Sequence, residues 1–295
     1  MATLRSTLES ALAQDVPVEI VVIDDGSSDD SLAVARSFEP RLRVLTGPNR
    51  GASLARNSGI AATSAPWIVF LDADDWLAPG TLAKRLAAAA AAQADVVITD
   101  WIEMHDDGDG CLRAGAQKGV DWPALRSDAE IATATTVWAT TAAILYRRSL
   151  LEKIGGFRPD LPIIQDARLL FDAAYHGARF TPGDHVGARY RVLMGSLSRR
   201  APQQFWSDTL LNGMQIEALW RARGALTRRQ TAALRAIYDT SARGLFRSES
   251  PRYFEAVRRQ YAFPDAPPLH TRIAAPLARA VGLPRARRIF DWVGR

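Results

Sequence analysis

The sequence predicts an α/β fold: a mostly parallel sheet flanked by helices in three layers, followed by a basic helical region. Three observations predict it. Short β-branched runs alternate with helix-length stretches through the first two thirds of the chain. Two of those runs end in clusters of aspartate. Beyond residue 198 the strand-like runs stop and arginine-rich helical periodicity takes over. The expected division is therefore an α/β domain over residues 1–198 and a basic helical region over 199–295.

Residues 3–13 place Leu4, Leu8, Ala11 and Leu12 on one stripe, the spacing of a helix. Residues 18–23 form an apolar, β-branched run, expected as a strand buried on both faces. Asp24-Asp25-Gly26-Ser27-Ser28-Asp29 follows as a turn with helix-capping residues, and Asp29 and Asp30 read as caps. A helix to about Phe38, a strand over 41–45, a loop at Asn49-Arg50-Gly51 and a helix from Leu54 to Ala62 come next. Residues 67–71 make a second buried strand that ends in Asp72-Ala73-Asp74-Asp75. A helix over 81–94 and a strand over 95–100 continue the alternation. Residues 105–121, rich in Gly and Asp, read as a surface loop. Residues 141–146 read as a strand, and 150–154 as a helix closed by Gly155-Gly156. A helix over 167–176 follows, on which Asp172 is expected to face solvent. Four helices are expected over 203–223, 228–246, 251–261 and 271–293.

Composition narrows the function classes. An apolar fraction of 47% supports a packed core. A single cysteine, Cys111, excludes an intramolecular disulfide, and the four histidines lack zinc-site spacing. No apolar run approaches the roughly 20 residues of a spanning helix, and the first residues contain no apolar leader segment. The expectation is a cytoplasmic protein, either soluble or at the inner face of the plasma membrane. Residues 196–295 hold 18 basic residues, all arginine, against 7 acidic ones, a net +11. Residues 1–195 carry a net −6. A basic face suits an anionic partner such as a membrane surface or a diphosphate lipid, although GC-rich coding also enriches arginine. Nucleic acid is disfavoured, because aromatic residues are not interleaved for base stacking.

In α/β sheets ligands bind beyond the carboxyl ends of the strands. Two strands deliver carboxylates to that edge: Asp24 and Asp25 from one, and Asp72, Asp74 and Asp75 from the other. Such crowding of like charge is unfavourable without a cation or hydrogen-bond donors. Mg²⁺ or Mn²⁺ suits the place, taking one or two carboxylates and completing its shell with substrate phosphates. Turn and cap formation is the alternative use of the same residues.

Three segments carry a specific resemblance. Ile23-Asp24-Asp25-Gly26-Ser27-Ser28-Asp29, the stretch from Asn49-Arg50-Gly51 to Ala55-Arg56-Asn57-Ser58-Gly59-Ile60, and Phe70-Leu71-Asp72-Ala73-Asp74-Asp75 resemble, in order and spacing, the signatures of family 2 glycosyltransferases of the GT-A fold. The likeness spans about residues 3–198. It implies a nucleotide-diphosphate-sugar donor, a glycan or lipid-linked acceptor, and a divalent cation, Mg²⁺ or Mn²⁺. It places Asp25, with Asp24 beside it, at the nucleotide base, Arg56 at base or phosphate, Asp72 at the ribose, and Asp74 with Asp75 at the metal. Leu150 to Phe157 resembles the family's helix-and-Gly-Gly-Phe segment, and Gln165-Asp166 stands where the family carries its catalytic carboxylate. Asp166 is thus the expected base of an inverting transfer; capping the helix is its other use.

Two departures are visible. In Tyr190-Arg191-Val192-Leu193-Met194-Gly195-Ser196, apolar Leu193 replaces the family's histidine. The apolar strand with which the family opens is not among these residues, which predicts an upstream start or the loss of that strand, and unpaired neighbours around its place. The second function class is therefore a catalytically impaired relative acting as a binding or assembly subunit. A sugar-1-phosphate nucleotidyltransferase is disfavoured for want of a Gly-rich basic loop after the first strand. The aromatic and basic helices of residues 270–295 suit peripheral contact with an anionic membrane; packing across the back of the catalytic domain or in a dimer is the alternative use of the same faces.

Overall fold

The computed structural model describes residues 2–106, 112–193, 195–263 and 268–293. Cys111 lies outside them. The chain separates into two compact units, Met1–Met194 and Gly195–Arg295; the boundary expected at 198 falls inside the short helix Leu197–Arg200.

The first unit opens with α1 (Ala2–Leu12), β1 (Val21–Asp24), α2 (Ser31–Arg36), β2 (Arg43–Thr46) and α3 (Ala52–Ala62). Then come β3 (Trp67–Ile68), β4 (Trp76–Leu77), α4 (Thr81–Ala92), β5 (Val96–Asp106) and β6 (Leu112–Lys118). Two short helices, α5 (Trp122–Ser127) and α6 (Ala129–Thr135), start on Asp121 and Asp128, whose side chains accept from Ala124 N–H and Ile131 N–H. A 3-10 turn at Thr141–Ala143, β7 (Ile144–Arg147), α7 (Arg148–Ile154), α8 (Gln165–Tyr175) and β8 (Phe180–Val192) complete it.

The helix-and-sheet class stands, but the strand directions differ from expectation. The larger sheet runs β3-β7-β5-β8-β4, with β6 on β5. Among the described residues only β1–β2 and β5–β8 pair in parallel; the other four ladders are antiparallel. Alternating strands and helices in sequence do not fix which strands become neighbours in space. Here β7 inserts between β3 and β5, reversing the local direction. Residues 105–121 are also not simply a loop, since Leu112–Lys118 returns along β5 as a strand.

β1 was expected to be buried on both faces. It is half-buried instead, because its ladder has one partner, β2, and no ladder joins it to β3. The strand expected over 67–71 keeps ladder bonds only at Trp67 and Ile68. Backbone without a neighbour cannot form a ladder, whatever its propensity.

Burial explains β5 well. Val96 and Ile98 enter the main core with Ile144, Tyr146, Leu169 and Leu170, while Val97 turns to the opposite face against Ala89 of α4 and Leu145. Consecutive apolar residues thus serve both faces. A separate small core joins Leu4 and Leu8 of α1 to Phe38 and Leu42.

The second unit is helical: α9 (Leu197–Arg200), α10 (Pro202–Ala222), α11 (Arg228–Arg247), α12 (Tyr253–Tyr261), α13 (Leu269–Val281) and α14 (Leu283–Val293). Thr227 and Gln230 form a reciprocal capping box at the start of α11. Buried Trp220, Tyr238 and Tyr253 fill its interior, and the Tyr238 hydroxyl donates to Glu217 at 2.5 Å. The helix expected over 271–293 is two helices, parted at Gly282, whose φ of 82° breaks the spiral.

Candidate active site

The acidic segment after β3 is held from below by α1. Thr7 Oγ1 donates to Ala73 O at 3.0 Å, Trp76 Nε1 to Ser6 Oγ at 2.7 Å, Leu77 N to Ser10 Oγ at 3.2 Å, and Gln14 Nε2 to Ala78 O at 3.1 Å. Ser6, Ser10 and Gln14 make a polar stripe at four-residue spacing beside the apolar stripe of Leu4 and Leu8. The signal was in the sequence; only the partner was missing from it.

Asp72, Asp74 and Asp75 then occupy three different environments. Asp72 is exposed enough to meet a ligand and accepts from Arg56 Nη2 at 2.5 Å. Asp74 is half-buried; burial and the neighbouring Asp72 raise its pKa, while Arg191 pulls it back. Asp75 is enclosed, accepting from Arg191 N–H at 2.9 Å and from the Thr140 hydroxyl at 3.1 Å. Burial, with Asp72 and Asp74 nearby, pushes it to about 8. Among the described residues no three His, Cys, Asp or Glu side chains converge as a ready-made metal site. Mg²⁺ needs only one or two carboxylates when phosphates supply the rest. Crowded acids with raised pKa values fit a cation, and Asp74, with no hydrogen bond from another described residue, fits as its ligand. Asp75, with each oxygen already accepting a bond, fits less well.

Arg56 lies on α3, its guanidinium carbon 5.2 Å from the centre of the Phe157 ring, and it interacts electrostatically with Asp166 as well as Asp72. Its Nη1 is buried without a hydrogen bond. α3 is held in place by a feature not singled out in the sequence. Asn57 Nδ2 donates to Phe157 O at 2.9 Å, and Phe157 N–H returns to Asn57 Oδ1 at 2.8 Å. Gly156 (φ +73°) precedes that contact, and a Cβ there would run into the Asn57 side-chain oxygen.

Asp166 sits in the first turn of α8, where the helix dipole favours a carboxylate. Oδ1 accepts from Ala167 N–H at 2.8 Å and Oδ2 from the Trp138 indole at 2.9 Å. Burial raises its pKa above the ordinary carboxylate value; the Trp138 bond and Arg56 oppose that shift. Asp172, expected at the surface, is buried and paired with buried Arg168 at 2.8 Å. Burial, with the charges of Asp75, Asp74, Asp166 and Asp72 added to it, pushes the phenol of Tyr190 on β8 to about 12. The four carboxylates read from two distant stretches of sequence therefore share one locality.

Asp24 and Asp25 form a separate group at the end of β1. Asp24 accepts from the Thr46 hydroxyl at 2.7 Å and from Ser27 N–H at 3.2 Å, and these two residues lower its pKa. Asp25 accepts from Arg50 N–H and Gly51 N–H, both at 2.8 Å, pinning the loop that leads into α3. Gly26 (φ +77°) lets the turn pass Asn49, whose N would lie 2.7 Å from a Cβ. Leu193 is exposed.

Residues 2–155, just over half of the chain, match the profile described as glycosyl transferase family 2. Among similar proteins, the succinoglycan biosynthesis protein ExoO of Rhizobium meliloti (strain 1021) is 32% identical over 205 residues, covering 67% of this chain and 59% of ExoO. The putative glycosyltransferase EpsH of Bacillus subtilis (strain 168) is 27% identical over 218 residues, covering 70% and 62%. The chain thus spans about three fifths of the length of these relatives. Among solved structures, S. aureus TarS 1-349 in complex with UDP-GlcNAc superposes with a TM-score of 0.58 at 16% identity, covering 88% of this chain and 85% of that one. The last likeness speaks for the fold alone.

Proposed function

This chain belongs to glycosyl transferase family 2, and we propose that it is an inverting transferase moving a sugar from a nucleotide-diphosphate sugar to an acceptor hydroxyl. The observation that carries the reading is the convergence of Asp72, Asp74 and Asp166 around Tyr190, with Arg56 paired to Asp72 and interacting with Asp166. Crystals of TarS hold UDP and UDP-GlcNAc, so UDP-sugars are the first donors to try.

In this reading Asp25 and Asp24 border the nucleoside, Arg56 donates to base or phosphate, and Asp72 accepts from the ribose. Asp74 holds a divalent cation, Mg²⁺ or Mn²⁺, and Asp75, each of whose oxygens already accepts a bond, braces the segment behind it. Such an ion, when bound, would stabilise charge on the departing nucleoside diphosphate. Asp166 takes the acceptor hydroxyl's proton as that oxygen attacks the anomeric carbon and the bond to the diphosphate breaks. A carboxylate whose pKa is raised by burial suits a base working near neutrality. Arg191, 5.1 Å above the Trp76 ring and interacting with Asp74, is the proposed contact to the diphosphate.

The relative ExoO is named for succinoglycan biosynthesis, which supports the part of the proposal that sets this transfer in cell-surface polysaccharide or lipid-linked glycan synthesis. Among the described residues no helix is long and apolar enough to cross a membrane. Peripheral contact through the arginine-bearing C-terminal helices is the corresponding part of the proposal. A second reading, an impaired relative serving as a binding or assembly subunit, is favoured by apolar, exposed Leu193 at the place of the family's histidine.

A thermal-shift screen of UDP, GDP, dTDP and CDP with Mg²⁺ or Mn²⁺ tests the site. Stabilisation by one nucleotide with metal, lost in Asp74→Ala, is expected; no response to any nucleotide would contradict the reading. Binding without nucleotide release from the matching nucleotide sugars would favour the second one.

A further inference from the structure

Trp138 is 40% exposed, unusual for so large an aromatic, yet it is fixed on several sides. Its ring stands edge-to-face on buried Trp101, with centroids 5.7 Å apart, and on Tyr190, 5.8 Å apart. Its Nε1–H donates to Asp166 Oδ2 at 2.9 Å. A tryptophan that merely filled the core would be covered, and one that merely decorated the surface would not be held by three partners. The contacts nevertheless leave 40% of the residue exposed, beside the carboxylate. An indole offers a flat, electron-rich face to C–H groups and keeps one polar edge for a hydrogen bond. A pyranose in its chair form has the complementary surface, a patch of axial C–H bonds next to hydroxyls.

We propose that Trp138 is the positioning residue of the acceptor side: its N–H orients the Asp166 carboxylate, and its exposed face receives a pyranose ring of the acceptor. The inference rests on reading Asp166 as the base. It adds the chemical class of the acceptor end: a sugar ring presenting an apolar face, rather than a bare lipid alcohol or a peptide hydroxyl. Asp166 Oδ1 is held by Ala167 N–H and Oδ2 by the indole, so the carboxylate plane is fixed from both oxygens while each retains a lone pair for the incoming proton. Positioning of this kind acts on turnover more than on donor binding.

Two variants separate the two functions. Trp138→Phe keeps a ring and removes the N–H; Trp138→Ala removes both. Saturation-transfer NMR on the full chain with UDP and Mg²⁺ present, using methyl β-D-glucopyranoside and methyl β-D-galactopyranoside as probes, reads the platform. Saturation concentrated on the ring C–H protons is expected in the native chain and in Trp138→Phe, and about fivefold weaker in Trp138→Ala. Nucleotide release from a panel of UDP-hexoses reads the orientation. Trp138→Phe is expected to lower kcat roughly tenfold with the donor KM unchanged. Native saturation in Trp138→Ala, no ring-proton saturation in the native chain, or native kcat in Trp138→Phe would overturn the proposal. Asp166→Asn is the control that separates it from the reading beneath it. Retained turnover in that variant would remove the base assignment, while the pyranoside signal reports on the Trp138 face independently.

Discussion

Asn57 and Phe157 exchange two hydrogen bonds across 100 positions of sequence, side-chain amide against backbone, at 2.9 and 2.8 Å. The exchange ties α3, which carries Arg56, to the segment that leads into α8, which carries Asp166. Asn57→Ala leaves the Phe157 N–H and C=O unmatched in a buried place, with a cost of about 2–3 kcal/mol. Urea denaturation of the full chain checks this, and an unchanged midpoint for the first unit would contradict it. Gly156→Ala should cost at least as much, since it adds a Cβ at positive φ against the same amide.

Arg56 neutralises Asp72 and also lowers the pKa of Asp166. Removing an opposite charge raises a carboxylate's pKa, so Arg56→Ala should shift the acidic limb of the kcat/KM–pH profile to higher pH. In the native chain that limb should already lie above the ordinary carboxylate range, because burial raises Asp166. Activity is lost as pH falls through that raised value. Arg56→Lys keeps the charge but not the planar fork, and should restore the limb while leaving donor binding weak. A limb that stays in place in Arg56→Ala would refute the coupling.

Asp75 gives a stability prediction of definite sign. Its folded pKa is about 8, against about 4 for an exposed carboxylate. Between those values the unfolded chain has lost a proton that the folded chain retains, so stability falls as pH rises from about 4 to about 8. Thermal melts in a chelator should show the slope, and Asp75→Asn should flatten it. A slope unchanged in that variant would mean that another group is responsible.

The last two helices offer a membrane test. Leu269 and Ile273 of α13 and Ile289 and Trp292 of α14 are exposed, with Arg272, Arg285 and Arg288 exposed beside them. Such a surface should float with anionic vesicles at low salt and not with neutral ones. Replacing Leu269, Ile273 and Trp292 by Ser should abolish flotation without changing nucleotide binding. Absence of native flotation would exclude this surface as the contact.

What could be read in advance followed from local chemistry. The aspartates at the end of β1, the helix closed by Gly155-Gly156 and the helices expected over 203–223 and 228–246 are local patterns, and each lies where its pattern placed it. The strand directions were not legible, because the β7 insertion depends on pairing between residues some fifty positions apart. β8 went unread as a strand because Pro182, Gly183 and Gly187 interrupt its apolar pattern. The different fates of Asp74 and Asp75 were equally hidden. Adjacent acids look alike in sequence, and only Arg191 and Thr140, brought from elsewhere, enclose one of them. Trp138 gave no periodic signal at all; its importance comes from Asp166, 28 residues away.

The most direct measurement is the turnover of Asp166→Asn beside its nucleotide binding. Asn is nearly isosteric and can still accept from Ala167 N–H, but it cannot take a proton from the acceptor. Native affinity for the stabilising nucleoside diphosphate with metal is expected, with sugar transfer reduced by about a thousandfold. Native transfer by Asp166→Asn, with the nucleotide still bound, would contradict it.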